Sequence, residues 1–185
     1  MEEDGNMVWG NGPITSPDKA RVEAIKPIIA GSDVMIDLHS TLKESKPFLV
    51  VPELQHRLAT VIPKLGVQRI ITGPGLKHPS GEAIESDLYG ASKGALAMTF
   101  ETGWEHDGKI EEIMQSILDA LTHLGIFKKK TEKIPPAKPQ NFNLVNAYKQ
   151  IFAGKNFKFI KEWQNFEFVQ AGTIIGYEGE TPIIV

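Results

Sequence analysis

Two short runs hold residue types that could do chemistry: Ile36-Asp37-Leu38-His39-Ser40-Thr41 and Glu101-Thr102-Gly103. In the first, an acidic residue and a histidine stand two apart, so on a strand both side chains lie on one face. A carboxylate beside an imidazole fixes its tautomer and raises its basicity, which a metal-ligating histidine commonly needs. Asp37 is therefore a candidate supporting partner for His39. The plainer alternative is an ordinary hydrogen-bonded histidine at a capped strand end. In the second run, Glu101 directly follows the apolar stretch Ala95 to Phe100 and precedes a glycine that would admit a close neighbour. A carboxyl at the rim of a buried strand is partly desolvated, which moves its pKa toward the range useful for proton transfer. Against this stands the common case of a surface glutamate at a strand end.

The remaining histidines carry weaker patterns. Glu53-Leu54-Gln55-His56 has helical ligand spacing, but such a pair on an amphipathic helix is usually a solvated face. His106, between Glu105 and Asp107, could line a pocket mouth or sit in an exposed turn. His78, beside Pro79, reads as loop surface, and His123 is placed to meet the dipole at the end of a helix.

The elements that must position His39 and Glu101 follow from hydrophobic spacing. Val22, Ile25, Ile28 and Ile29 recur at helical intervals from Pro17 to Ala30, with Ser16 as the cap before a proline at the first helical position and Pro27 able to bend the end. Asp33 to Leu38 reads as a buried strand delivering His39, and Phe48 to Val51 as a second strand. Pro52 opens an expected helix whose Leu54, Leu58, Val61, Ile62 and Leu65 share a side and which Gly66 stops. Val67 to Thr72 is a third strand, Ser80 to Lys93 a helix ended by Gly94, and Ala95 to Phe100 the strand delivering Glu101. Ile110, Ile113, Met114, Ile117, Leu118, Leu121 and Leu124 then mark the clearest helix. Strands alternating with helices argue for an α/β domain with a largely parallel sheet, whose ligands sit beyond the carboxyl ends of strands.

The 185 residues are 41% hydrophobic and 23% charged, enough for one substantial core and a small second domain. A formal net charge of -3 gives no positive field to hold a phosphate backbone, so nucleic acid is not an expected partner. With no cysteine, disulfides, thiolate nucleophiles and cysteine zinc sites are excluded, which leaves His, Asp and Glu as ligands and fits a cytoplasmic location. Met1 to Gly12 lacks the basic-then-apolar order of a signal peptide, and no apolar run nears the roughly 18–20 residues of a membrane span. Between Lys128 and Gln140, five lysines and three prolines read as an exposed linker. The expected organisation is thus an α/β domain over residues 1–130, a linker over 131–140, and a small β-rich domain over 141–185 that stops inside a strand pattern.

Taken in order, the DLHST around His39, the PFLVV strand, the YGASKGALAMTFETG stretch that ends at Glu101, the long helix, the proline-rich connection and the small β domain resemble the succinylglutamate desuccinylase/aspartoacylase family. The resemblance implies a zinc-carboxypeptidase-like fold with a largely parallel or mixed sheet. It also implies a zinc-dependent deacylase that cleaves the amide of an N-acyl amino acid or similar small carboxylate. His39 would be a zinc ligand with Asp37 behind it, and Glu101 the general base that later acts as general acid. The family's zinc also takes a histidine and a glutamate from an earlier His-x-x-Glu, which does not occur in this sequence, and no basic Asn-Arg element follows one. Either residues preceding Met1 complete the site or the chain is a degenerate relative. The alternative function is a non-catalytic binding or scaffold protein that keeps the fold without a complete metal site.

Overall fold

The computed structural model describes residues 8–73, 85–104, 110–127, 143–146 and 156–185. Helix α1 spans Pro17–Ala30, and Ser16 caps it as expected, its hydroxyl oxygen accepting from the Lys19 N–H at 3.1 Å. The helix's burial differs from the apolar spacing: Val22 is buried, but Ile25 and Ile28 are exposed, and Lys19 and Lys26 are buried instead. Their ammonium groups reach acceptors while the stems pack. Lys19 Nζ donates to the Val8 carbonyl at 2.9 Å and to that of Gly10, and Glu23 Oε1 lies 2.8 Å from Lys19 Nζ and 2.6 Å from Lys26 Nζ. The segment before α1 is thereby strapped down, with Trp9 buried and its ring 5.8 Å from that of Tyr89.

Strand β1 (Val34–Thr41) follows, then β2 (Phe48–Val50), helix α2 (His56–Leu65), β3 (Arg69–Thr72), helix α3 (Ser86–Ser92), β4 (Leu96–Trp104), helix α4 (Ile110–His123) and β5 (Asn143–Asn146). The five strands form one mixed sheet in the order β1-β4-β2-β3-β5, with β2 antiparallel to β4 and the other pairs parallel. A second, antiparallel sheet contains β6 (Phe157–Phe159), β7 (Ile174–Glu178) and β8 (Thr181–Ile184) in that order. The strand Asn143–Asn146 therefore belongs to the large sheet and not to the small one. The Lys128–Gln140 stretch lies outside the described residues.

One face of the large sheet makes the core. Leu49, Ile70, Leu96, Met98 and Phe100 pack there against Leu58, Val61, Ile62 and Leu65 of α2 and Ala120 of α4. Helix α2 begins at His56, four residues after the proline expected to open it. Its end agrees with the sequence, because Gly66 adopts the left-handed φ of 70° that a terminal glycine takes without a Cβ penalty. On the opposite face lies α3, where Gly90 leaves so little room that an added Cβ would stand 3.3 Å from Ala97 Cβ and 3.4 Å from Met35 Sδ. No helix among the described residues is long and apolar enough to cross a membrane.

Candidate functional site

The α3 face is where the candidate residues gather. On β1, Met35, Asp37 and His39 alternate onto that face, and β4 runs parallel in a register that sets Met35 beside Ala97, Asp37 beside Thr99 and His39 beside Glu101. Paired residues of adjacent strands share a face, one strand spacing of about 4.8 Å apart. Asp37 Oδ1 lies 3.3 Å from His39 Nε2, and the other carboxylate oxygen accepts from the Ser86 hydroxyl at the start of α3. The helix thus anchors the carboxylate that stands against the imidazole. The end of β1 is fastened to β4 by Thr102, whose Oγ1 donates to the His39 carbonyl at 2.8 Å.

Four carboxyls converge on this face: Asp37, Glu85, Asp87 and Glu101. Burial raises the Glu101 carboxyl above its ordinary value, with repulsion from Asp37 adding to the rise and His39 opposing it. Burial likewise raises Asp87, whose hydrogen bonds from the Leu88 N–H and the Thr99 side chain pull the other way while Asp37 adds to the rise. Glu85 is raised by burial and by the charge of Asp87, against the attraction of His39. A carboxyl raised from its ordinary value is a stronger base when ionised, which is what a proton acceptor needs.

A third strand and a distant segment close the site. Phe48 of β2 is the antiparallel partner of Glu101, so its ring stands on the same face. Onto it packs Phe166, edge to face at 5.1 Å, from the connection between β6 and β7. Phe166 holds the left-handed φ of 62°, an uncommon conformation for a bulky residue. The loop around it is clamped: Glu167 pairs with Lys161 at 2.5 Å and accepts from the Gln164 N–H at 3.0 Å, and Trp163 Nε1 donates to the Ile175 carbonyl at 3.0 Å. These contacts bring the small sheet's connection against the mouth of the site.

Just past Glu101 the strand is irregular. The register shifts between His39 and Thr41, so that Trp104 rather than Gly103 pairs with Thr41. Such a bulge re-aims side chains, here turning Trp104 toward the face that carries Glu101. Gly103 takes φ 98°, and a Cβ on it would stand 2.9 Å from the Ser45 carbonyl, which also accepts from the Trp104 N–H at 3.3 Å. Trp104 borders a groove of about 220 Å³ together with Lys43, Trp163 and Asn165.

Asp37, His39 and Glu101 are thus brought together, while Glu53, His56 and His123 are not. Glu53 precedes α2, and both it and His56 are exposed, so the helical spacing between them never forms. His123 sits exposed in the last turn of α4. His78 and His106, with Glu105 and Asp107, lie outside the described residues. Sequence reasoning missed Glu85, Ser86 and Asp87. They fell inside the helix expected from Ser80 to Lys93, and nothing local told that Ser86 and Asp87 would be buried. It also missed Phe48, Phe166 and Trp104, whose types suggest core.

Among the described residues no group of three or more His, Asp or Glu side chains could hold a metal ion. A catalytic zinc normally takes three protein ligands, so the described side chains do not fit a complete zinc site. No family model matches the chain, and no curated protein matches it. Solved structures do. Succinylglutamate desuccinylase from Vibrio cholerae superposes with a TM-score of 0.74 at 19% identity, covering 100% of this chain and 58% of that one. The enzyme of that name from Vibrio parahaemolyticus gives 0.71 at 18% identity, with the same coverages. The succinylglutamate desuccinylase/aspartoacylase of Rhodobacter sphaeroides gives 0.60 at 15%, covering 98% of this chain and 58% of its own. The chain therefore has the fold of the succinylglutamate desuccinylase/aspartoacylase structures and spans 58% of the length of these three.

Proposed function

We propose that the cleft at His39 and Glu101 belongs to a deacylase-type hydrolase that cleaves the amide bond of an N-acyl amino acid or a similar small carboxylate. The observation that carries this reading is the raised Glu101 carboxyl held in direct register with His39. The fold likeness to desuccinylase and aspartoacylase structures supports the reaction class.

In this reading Glu101 takes a proton from water as the water oxygen bonds to the acyl carbon. It then returns that proton to the amide nitrogen as the carbon–nitrogen bond breaks, releasing a carboxylic acid and an amine. Asp37, anchored by Ser86, orients His39. The resemblance to the family adds zinc, which polarises a carbonyl and acidifies bound water. His39 would be one ligand to it. The described residues offer no complete set, so the steps above rest on the chain's own groups. That incomplete set is also what favours the second reading, a binding or scaffold protein that retains the fold.

Incubation of the chain with N-succinylglutamate and zinc, with the released amine measured, separates the two. Release that is lost in Glu101→Gln supports the hydrolase. Binding without release, in a preparation shown to be folded, supports the scaffold.

A further inference from the structure

The row of residues at the site continues across the sheet. The pairing of Leu49 with Ile70 places Arg69 level with Phe48, on the face opposite the buried Leu49 and Ile70. His39, Glu101, Phe48 and Arg69 therefore lie side by side on four adjacent strands. The row exists because β2 and β3 run against β4, bringing the starts of two strands to the same edge as the ends of the other two. The Arg69 guanidinium lies over the Phe166 ring, 4.6 Å from its centroid. Among the described residues no carboxylate is within ion-pair distance of it.

We propose that Arg69 is the carboxylate-binding residue of this site and receives the anionic end of the substrate. The Phe166 ring holds the cation through its face, and among the described residues no carboxylate engages the N–H donors, so the ring contact fixes the fork without consuming it. A planar fork held in place is the geometry that a carboxylate accepts in two parallel hydrogen bonds. The electrostatics of the face call for such a group, because Asp37, Glu85, Asp87 and Glu101 together repel an anion. Arg69 stands two strand spacings from Glu101, about 10 Å between backbones, a span that a small substrate and two side chains bridge. The Phe166 conformation then has a purpose: the left-handed turn delivers the ring between Phe48 and Arg69.

The inference rests on the hydrolase reading of the site, so its test reads binding and not turnover. Calorimetric titration of the full 185-residue chain would compare succinate with its uncharged diamide, succinamide. The unmodified chain should bind succinate about 10- to 100-fold more tightly, the scale of a charge-assisted bidentate pair. Arg69→Met keeps an apolar stem against Phe166 and removes the cation, so it should bring succinate binding down to the level of the diamide. Equal binding of both ligands by the unmodified chain overturns the assignment, as does a succinate preference that survives Arg69→Met. If that variant fails to fold, the Nε–H resonance of Arg69 in the unmodified chain decides. It should move with succinate and stay with succinamide, and a resonance unmoved by succinate overturns the assignment. A preserved succinate preference without hydrolysis of N-succinylglutamate would count against the deacylase reading alone.

Discussion

His39 and Glu101 are direct register partners on adjacent parallel strands, so an imidazole and a carboxyl from distant parts of the chain stand one strand spacing apart on one face. Neither residue's immediate neighbours in sequence could place them so. The placement follows from the β1-β4 pairing, and the consequences below follow from the placement.

Glu101→Gln should lower turnover of an N-acyl amino acid by about 10²–10⁴, because the amide is nearly isosteric but cannot accept the water's proton. The same variant should change the pH dependence of stability. Burial raises the Glu101 carboxyl above 4.5, so the folded chain binds its proton more tightly than the unfolded chain does. Its contribution is full below the unfolded value and is lost as pH rises through the folded one. Glutamine does not ionise and loses nothing over that window. Thermal melts at pH 7 should therefore favour the variant, and melts at pH 4 should show the advantage shrinking. An advantage of equal size at both pH values would remove the burial argument.

Zinc titrated into the purified chain should meet no tight stoichiometric site, since no described group of three ligating side chains exists. A tight site that disappears in His39→Ala would show that other residues complete the ligand set.

Gly103→Ala should destabilise the fold by about 1–3 kcal/mol, because φ 98° excludes a Cβ and the added carbon would stand 2.9 Å from the Ser45 carbonyl. Chemical denaturation measures the loss. Trp104 fluorescence should shift in the same variant, since the strained residue adjoins it.

Phe166→Ala should cost about 2 kcal/mol, less than a fully buried phenylalanine because the ring is partly exposed. Hydrogen exchange should rise in the connection around Gln164 and Glu167 before it rises in β4. An unchanged exchange pattern would mean that the ring does not hold the connection to the sheet.

The strands that deliver the site were legible because their apolar runs are short and end in residues of a different kind. Ile36 before Asp37 and Phe100 before Glu101 are the instances that mattered. The Ser16 cap and the Gly66 stop follow from local backbone chemistry and were equally plain. What local reasoning could not reach are relations set by pairing. The burial of Lys19 depends on the carbonyls of Val8 and Gly10 coming to meet it. The roles of Ser86, Phe48 and Phe166 exist only once α3 lies over β1 and β4, β2 pairs with β4, and the β6-β7 connection packs on β2. That Asn143–Asn146 joins the large sheet rather than the β-rich unit expected over 141–185 was out of reach for the same reason: a two-residue apolar centre between asparagines carries no sign of which edge it joins.

The β1-β4 pairing also bears on how the protein is made. Between its two strands the chain inserts β2, α2, β3 and α3, so β1 leaves the ribosome well before its partner exists. At ordinary synthesis rates that interval is on the order of several seconds. During it the His39 strand has no β4 ladder to join, and contacts this far apart in sequence close slowly. Nascent chains halted before Leu96 should therefore be sensitive to protease near His39, and chains extended past Trp104 should become resistant.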